Sequence, residues 1–339
     1  MSQAEAMNAP KPKRGGLIGV ILKWGEFVKF SHTIFAMPFA LAAMMVASRE
    51  HYRYLENAKA DLPAPATEYG FPGIKLFLLI LVCLICARTC AMAFNRIVDR
   101  KFDAKNPRTA DRHLPKGEIS LMSAWTLCAL SAVGFLVAAG FINTACLVLG
   151  PVALFFVCFY SMTKRFTDYT HVWLGIALAL APIGAWIAVK GGTMAELFTM
   201  LPFSQSLLPP VVLGIAVVFW LIGFDIIYAL QDFEFDRQHG LRSLVTAWGP
   251  KNALMASFLS HMVMLGLLLL FGILCKMRVA FLIGWMIIMF CLLFEHWIAR
   301  KRSLKWVNVA FFKLNAVISS VFFVVVATEV LFPFFRRLQ

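Results

Sequence analysis

Nine long apolar runs, separated by short polar connections, organise this chain. They fall near residues 28–48, 74–95, 119–140, 141–160, 171–190, 208–230, 252–275, 279–299 and 309–332. Each approaches the roughly 20 residues that carry a helix across the ~30 Å hydrocarbon core of a bilayer. The runs are continuous rather than alternating, so they predict helices and not barrel strands, and in lipid each helix satisfies its own backbone. The third and fourth runs adjoin, which requires a tight turn between Gly140 and Thr144. The pattern predicts an all-α polytopic bundle of about nine transmembrane helices over residues 26–335. An amino-terminal arm, residues 1–25, precedes it. Residues 1–16 of that arm are polar and basic and read as disordered, while Leu17 to Trp24 is too short to span and reads as an interfacial segment. No cleavable signal peptide is apparent.

Composition strengthens the membrane reading. Hydrophobic residues make up 60% of the 339 and charged residues only 15%, with a mean hydropathy of +0.77, whereas soluble domains run near 25% charged. Lysine and arginine set the orientation. Lys11, Lys13, Arg14 and Lys23 mark the amino end as cytoplasmic, and so does the second connection, with Arg96, Arg100, Lys101, Lys105, Arg108, Arg112 and Lys116. Lys164, Arg165, Arg237, Arg242, Arg300, Lys301, Arg302 and Lys305 place the fourth, sixth and eighth connections on the same side, against Lys276, Arg278, Arg336 and Arg337 opposite. The formal charge of +14 is therefore a topology signal with anionic lipid contact, not a nucleic-acid footprint. The expected location is the inner, cytoplasmic membrane. The eight cysteines are scattered through apolar spans; even Cys83, Cys86 and Cys90, at helical spacing, read as small packing residues.

Against this background two acidic clusters stand out. Asn95, Asp99 and Asp103 are spaced by four, and Asp225, Asp232 and Asp236 by seven and four, so each set forms one helical stripe. Both stripes end spans that run outward to inward, which lets them face each other at the cytoplasmic edge. Carboxylates there are costly unless wet, paired or bound to metal. An oxygen-only donor set favours Mg²⁺ or Mn²⁺, with substrate phosphate completing the shell. Arg100, Lys101, Arg108, Arg112, Lys164 and Arg165 lie beside the acids and suit diphosphate oxygens. The plainer alternative is a loop of solvated salt bridges.

These motifs resemble a known family. Asn95-Arg96-Ile97-Val98-Asp99-Arg100-Lys101-Phe102-Asp103, with Arg108 to Gly117 after it, is similar to the first signature of the UbiA superfamily of intramembrane prenyltransferases. Asp225-x-x-Tyr228-Ala229-x-x-Asp232-x-x-x-Asp236 resembles the second, and Tyr160-Ser161-Met162-Thr163-Lys164-Arg165-Phe166-Thr167 resembles an element of the 4-hydroxybenzoate branch. Arg96 stands where many members carry an aspartate, leaving Asp99 and Asp103 as the first-cluster ligands. This form, with the run Lys29 to Ala40, looks more like the polyprenyltransferases of quinone synthesis that include the futalosine-type menaquinone route.

The resemblance implies transfer of a polyprenyl group from its diphosphate to an aromatic acid, 4-hydroxybenzoate or a dihydroxynaphthoate, for ubiquinone or menaquinone synthesis. It assigns Mg²⁺ to Asp99, Asp103, Asp232 and Asp236, with Lys164, Arg108 and Arg112 on the diphosphate. Asn95 and Asp225 orient the metal shell or the substrate, and Tyr228 lines the pocket. The recurrence of an acidic motif after the second and sixth spans suggests two four-helix units plus a ninth helix. His32 divides evenly between contact with the aromatic acid and a packing role; Lys313 and Asn315 read as snorkelling residues, and Glu295 and His296 as helix-end interface residues. The rival from another class is a cation-coupled transporter using the acids as a relay, which predicts acids near the midplane and an inverted repeat.

Overall fold

The computed structural model describes residues 16–29, 35–57, 70–195, 207–300 and 310–332. His32, the start of the arm, most of the first outer loop, Lys301 to Lys305 and the two terminal arginines lie outside the described residues. Among the described residues a short helix α1 (Leu17–Phe27) precedes nine long ones. These are α2 (Met37–Asn57), α3 (Ile74–Asp103), α4 (Leu121–Ile142), α5 (Thr144–Phe159), α6 (Thr170–Lys190) and α7 (Leu208–Ala229). After a one-turn helix α8 (Phe233–Gln238) come α9 (Leu244–Leu274), α10 (Val279–Ala299) and α11 (Asn315–Leu331). Among the described residues eight helical stretches are long and apolar enough to cross a bilayer. The ninth long helix, α2, falls short because its second half, from Ser48, is polar.

Helix boundaries follow local chemistry. Asn143 makes the α4–α5 turn: its Oδ1 accepts from Cys146 N at 2.8 Å, and its Nδ2 donates to the Gly191 carbonyl at 2.6 Å, pinning the hairpin to the end of α6. Ser243 and Thr246 form a reciprocal capping box at the start of α9. That helix begins eight residues earlier than its apolar run suggests, and bends where Gly249 adopts φ 77° ahead of Pro250. The first span is displaced in the other direction. It starts at Met37 rather than near residue 28, because the chain turns at Val28–Lys29, and it continues through Asn57.

Neighbouring helices pack side by side. Contacts link α3 to α4, α4 to α5, α5 to α6, α6 to α2 and α7, α7 to α9, and α2 through α11 to α10. The most enclosed is α7, with 67% of its apolar stretch buried against 17–44% for the other spans. Lipid tails are as apolar as leucine side chains, so close packing and polar contacts hold such a bundle together. At its centre Trp220 is fully buried, 4.9 Å from the ring of Phe39, which stacks on Phe322 at 4.8 Å.

Three residues expected at an interface are interior. Glu295 and Asn315 are 0% exposed and His296 is 7% exposed. Asn315 accepts from Trp220 Nε1 at 2.8 Å and donates to Glu295 Oε1 at 2.9 Å, while His296 Nε2 meets His261 Nδ1 at 2.8 Å. Apart from Glu295 Oε2, which has no hydrogen-bond partner, the polar side chains bond to one another, which is why they tolerate the core. Lys313 is exposed, as expected.

Candidate active site

The acidic stripes meet. Asn95, Asp99 and Asp103 from the end of α3, and Asp225, Asp232 and Asp236 from α7 and the turns after it, line one cavity of about 970 Å³, its open mouth included. The second stripe is not one continuous helix. After Ala229 the chain tightens into a 3-10 turn over Leu230–Asp232 before α8, and this keeps Asp232 and Asp236 on the cavity side. Lys164, Arg165 and Tyr160, on a 3-10 turn that extends α5, close one wall. The Arg242 N–H donates to the Lys164 carbonyl at 2.8 Å, tying this turn to the segment before α9.

Every acid in the cavity has a partner. Arg108 grips Asp232 with two nitrogens, Nε to Oδ1 at 2.8 Å and Nη2 to Oδ2, and Asn106 donates to the same Oδ1 at 3.1 Å. Its Nη1 donates to the Tyr228 hydroxyl at 2.9 Å. Burial works against the Arg108 charge, yet the hydrogen bonds to Asp232 outweigh it and hold the guanidinium more firmly protonated than usual. Arg112 Nη1 donates to Asp103 Oδ1 at 2.6 Å. Lys164 lies 3.8 Å from Asp236 and Arg165 3.7 Å from Asp99, whose other oxygen accepts from Asn95 at 3.0 Å. Asp225 Oδ2 meets His171 Nδ1 at 2.6 Å.

The expected carboxylate cluster is thus more dispersed than its spacing suggested. Among the described residues no three His, Cys, Asp or Glu side chains are gathered as a ready ligand set, because each acid is drawn to its own base. Two oxygens accept no hydrogen bond: Asp103 Oδ2 and Asp236 Oδ2 are buried without a donor, the latter with Lys164 at 3.8 Å. Buried carboxylate oxygens with no donor are what a hard divalent cation takes up, so the residues fit such an ion.

Arg96 points elsewhere. It is 6% exposed and its Nε reaches the Phe27 carbonyl at 3.4 Å, anchoring α1 against α3. A cation at this position serves the arm, not the cavity. Two residues behind the cavity lining escaped the sequence reading. His171 opens α6 just past the basic turn and was hidden by the apolar run around it. Arg88 lies seven residues, two helical turns, before Asn95, beside Tyr160, with a buried Nε that lacks a partner. A lone arginine at that spacing inside an apolar run is a readable signal.

A second cavity, of about 870 Å³, lies between α3, α4, α5 and α6 and is lined by apolar residues such as Leu84, Ala87, Leu149, Ala153 and Ala177. Three helices serve both cavities within a turn or two: Ala87 and Asn95 on α3, Val157 and Tyr160 at the end of α5, Ala177 and Leu174 on α6.

A polar, base-rich cavity at one end of an apolar helical bundle, with an apolar chamber beside it, defines an integral membrane protein with a charged site next to a greasy one. The sequence profile of the UbiA prenyltransferase family matches residues 64–317, and the chain belongs to that family. It is 30% identical to the 4-hydroxybenzoate octaprenyltransferase of Francisella tularensis subsp. mediasiatica over 67% of this chain and 74% of that one. The enzyme of the same name from Pseudomonas aeruginosa is 31% identical over 69% and 74%. A UbiA homolog from Aeropyrum pernix K1 superposes with a TM-score of 0.71 at 27% identity, covering 86% of this chain and 95% of that one. One from Archaeoglobus fulgidus, bound to GPP and Mg²⁺, shares the fold with a TM-score of 0.60 at 19% identity, over 90% and 99%.

Proposed function

We propose that the chain transfers a polyprenyl group from polyprenyl diphosphate to an aromatic acid in quinone biosynthesis. The observation that carries this reading is the convergence of both acidic stripes on one cavity, with Asp99, Asp103, Asp232 and Asp236 each within reach of an arginine or lysine that can be handed to a diphosphate. When substrate enters, Arg108, Arg112 and Lys164 exchange carboxylate partners for phosphate oxygens. The freed oxygens of Asp99, Asp103, Asp232 and Asp236 are then available to Mg²⁺, which supplies charge neutralisation for the departing diphosphate. Asn95 keeps Asp99 in place, and Tyr228, held by Arg108, forms part of the wall. The apolar cavity takes the first isoprene units, and surrounding lipid the rest.

Cleavage of an allylic C–O bond leaves a cation that reacts with water unless the aromatic ring meets it first, and the dry bundle protects it. The acceptor is a hydroxylated aromatic acid; the named relatives favour 4-hydroxybenzoate over a dihydroxynaphthoate. Arg88, two turns deeper than Asn95 and with an uncommitted nitrogen, suits its carboxylate. The head-group site faces the cytoplasm of the inner membrane, on the strength of the basic loops that surround it. A cation-coupled transporter has no support here, since the acids sit at one end of the bundle and the family is one of prenyltransferases.

The test is direct. Purified chain is incubated with Mg²⁺, labelled polyprenyl diphosphates and a panel of aromatic acids, and products are weighed by mass spectrometry. Metal-dependent prenylated acid is expected; none with any acceptor, alongside ion-coupled solute flux in vesicles, would return the reading to a transporter.

A further inference from the structure

Five of the six polar groups on the two stripes are engaged with one another or with a fixed cation or amide near the mouth. Asp225 differs: among the described residues its hydrogen-bond partner is His171, at 2.6 Å. It sits two turns before Asp232, on the membrane-interior side, lines the cavity, and keeps 19% of its side chain exposed.

The fold goes to some length to make this contact. His171 is fully buried in the first turn of α6. One turn further, Gly175 lies so close to α7 that a Cβ there would stand 3.0 Å from the Val218 Cα and carbonyl oxygen. The absent side chain lets the two helices cross tightly, and the crossing brings His171 to Asp225. Thr170 is fixed in turn by a 2.7 Å hydroxyl contact with Thr163, on the Lys164 turn. The other imidazole nitrogen, Nε2, is buried with no hydrogen-bond partner. A histidine kept for packing is ordinarily satisfied at both nitrogens; this one makes a single polar contact, to a carboxylate that borders the substrate cavity.

We infer that His171 is a positioning residue for the acceptor half of the reaction: it locks Asp225 from behind so that the carboxylate faces the aromatic ring and takes the ring proton. The inference rests on the prenyltransferase reading above. In the step, the C–O bond breaks with its electron pair leaving on the diphosphate, and a ring carbon bonds to the allylic cation. The C–H bond at that ring carbon then breaks, its proton passing to Asp225 and its electron pair restoring aromaticity. Asp225 suits this task because no arginine or lysine is bonded to it, whereas Asp99, Asp103, Asp232 and Asp236 each face one.

The experiment compares wild type, His171→Leu and His171→Asn, each as the full chain in detergent with Mg²⁺, a polyprenyl diphosphate, and 4-hydroxybenzoate with or without deuterium at the ring positions beside the hydroxyl. Asparagine places an N–H where Nδ1 stood. In His171→Leu, kcat is expected to fall roughly 10²-fold with KM for the diphosphate unchanged, and a primary isotope effect absent from wild type appears because proton loss now limits the rate. His171→Asn recovers most of kcat and loses the isotope effect. A fall in kcat without an isotope effect, a parallel loss of diphosphate binding, or wild-type kinetics in His171→Leu would overturn the inference and leave the prenyltransferase reading standing. So would a product in which the prenyl group replaces the carboxylate instead of a ring hydrogen. No prenylated product from wild type overturns both.

Discussion

The charged cavity and the polar knot between α7, α9, α10 and α11 make opposite use of the same side-chain types. In the knot, Trp220, Asn315, Glu295, His261 and His296 are joined by short hydrogen bonds and sealed from lipid. Gly223 leaves room for it, since a Cβ there would fall 2.1 Å from His261 Nε2. In the cavity, acids and bases are paired across a void, and two carboxylate oxygens have no donor. A polar group in an apolar bundle is tolerated when it is satisfied and useful when it is exchangeable. The knot binds helices together; the cavity holds its charges ready for a ligand that can swap them.

Removing the cavity's carboxylates should break this contrast most severely. Asp99→Ala and Asp232→Ala are each expected to cut turnover by about 10³-fold or more, the scale of losing a preorganised electrostatic contact in the transition state. Both proteins should fold, because the vacated bases face an open cavity and find water. Product formation and a thermal melt on the same samples check the two halves of the statement. Full activity in both folded variants would dissolve the assigned site.

The bases come next. Arg112→Gln and Lys164→Gln should raise KM for polyprenyl diphosphate by about 10- to 100-fold, in keeping with ~1.5–3 kcal/mol for a hydrogen bond to a charged group, and leave the acceptor's KM nearly unchanged. An equal rise in both constants would show that these bases hold the cavity's shape rather than the diphosphate.

The cavity was legible in the sequence because it obeys two periodicities at once. Acids repeated every four or seven residues define a helix face, and a run of bases beside them fixes the membrane edge. The same logic misplaced Glu295, His296 and Asn315. Nearness to the end of an apolar run reads as nearness to water, yet Asn315 turns toward Trp220 of α7 and Glu295 of α10, and His296 toward His261 of α9, and only tertiary packing decides that. Arg96 illustrates the reverse: its departure from the family pattern was plain, but its partner, the Phe27 carbonyl, belongs to a helix the apolar runs did not define. The pairing of His171 with Asp225 was beyond sequence reading, because it depends on how closely α6 and α7 cross at Gly175.

The knot offers a converse test with a smaller effect. Glu295 uses one oxygen to accept from Asn315, and its other oxygen is buried without a partner. Glu295→Gln keeps the acceptor and the shape, so stability should hold. Glu295→Leu strands the Asn315 amide and should cost about 1–3 kcal/mol, the penalty of a buried polar group deprived of its partner. In both variants, kcat per folded molecule should stay at the wild-type level. A glutamine variant that folds normally but loses turnover would move Glu295 from scaffold to chemistry.

The mildest change should fall on the apolar chamber, whose role is to accept length rather than charge. Ala153 lines it on the α5 side, two turns from the polar turn that carries Lys164. Ala153→Phe fills part of the 870 Å³ without touching a titratable group, so the head-group chemistry stays intact. A short donor such as geranyl diphosphate should turn over within about twofold of wild type. A long polyprenyl diphosphate should lose roughly 10-fold, about 1.4 kcal/mol of misplaced chain, because its early isoprene units are forced out of the chamber. Equal losses for short and long donors would mean that the tail takes another route through the bundle, and that the chamber, unlike the charged cavity above it, contributes packing alone.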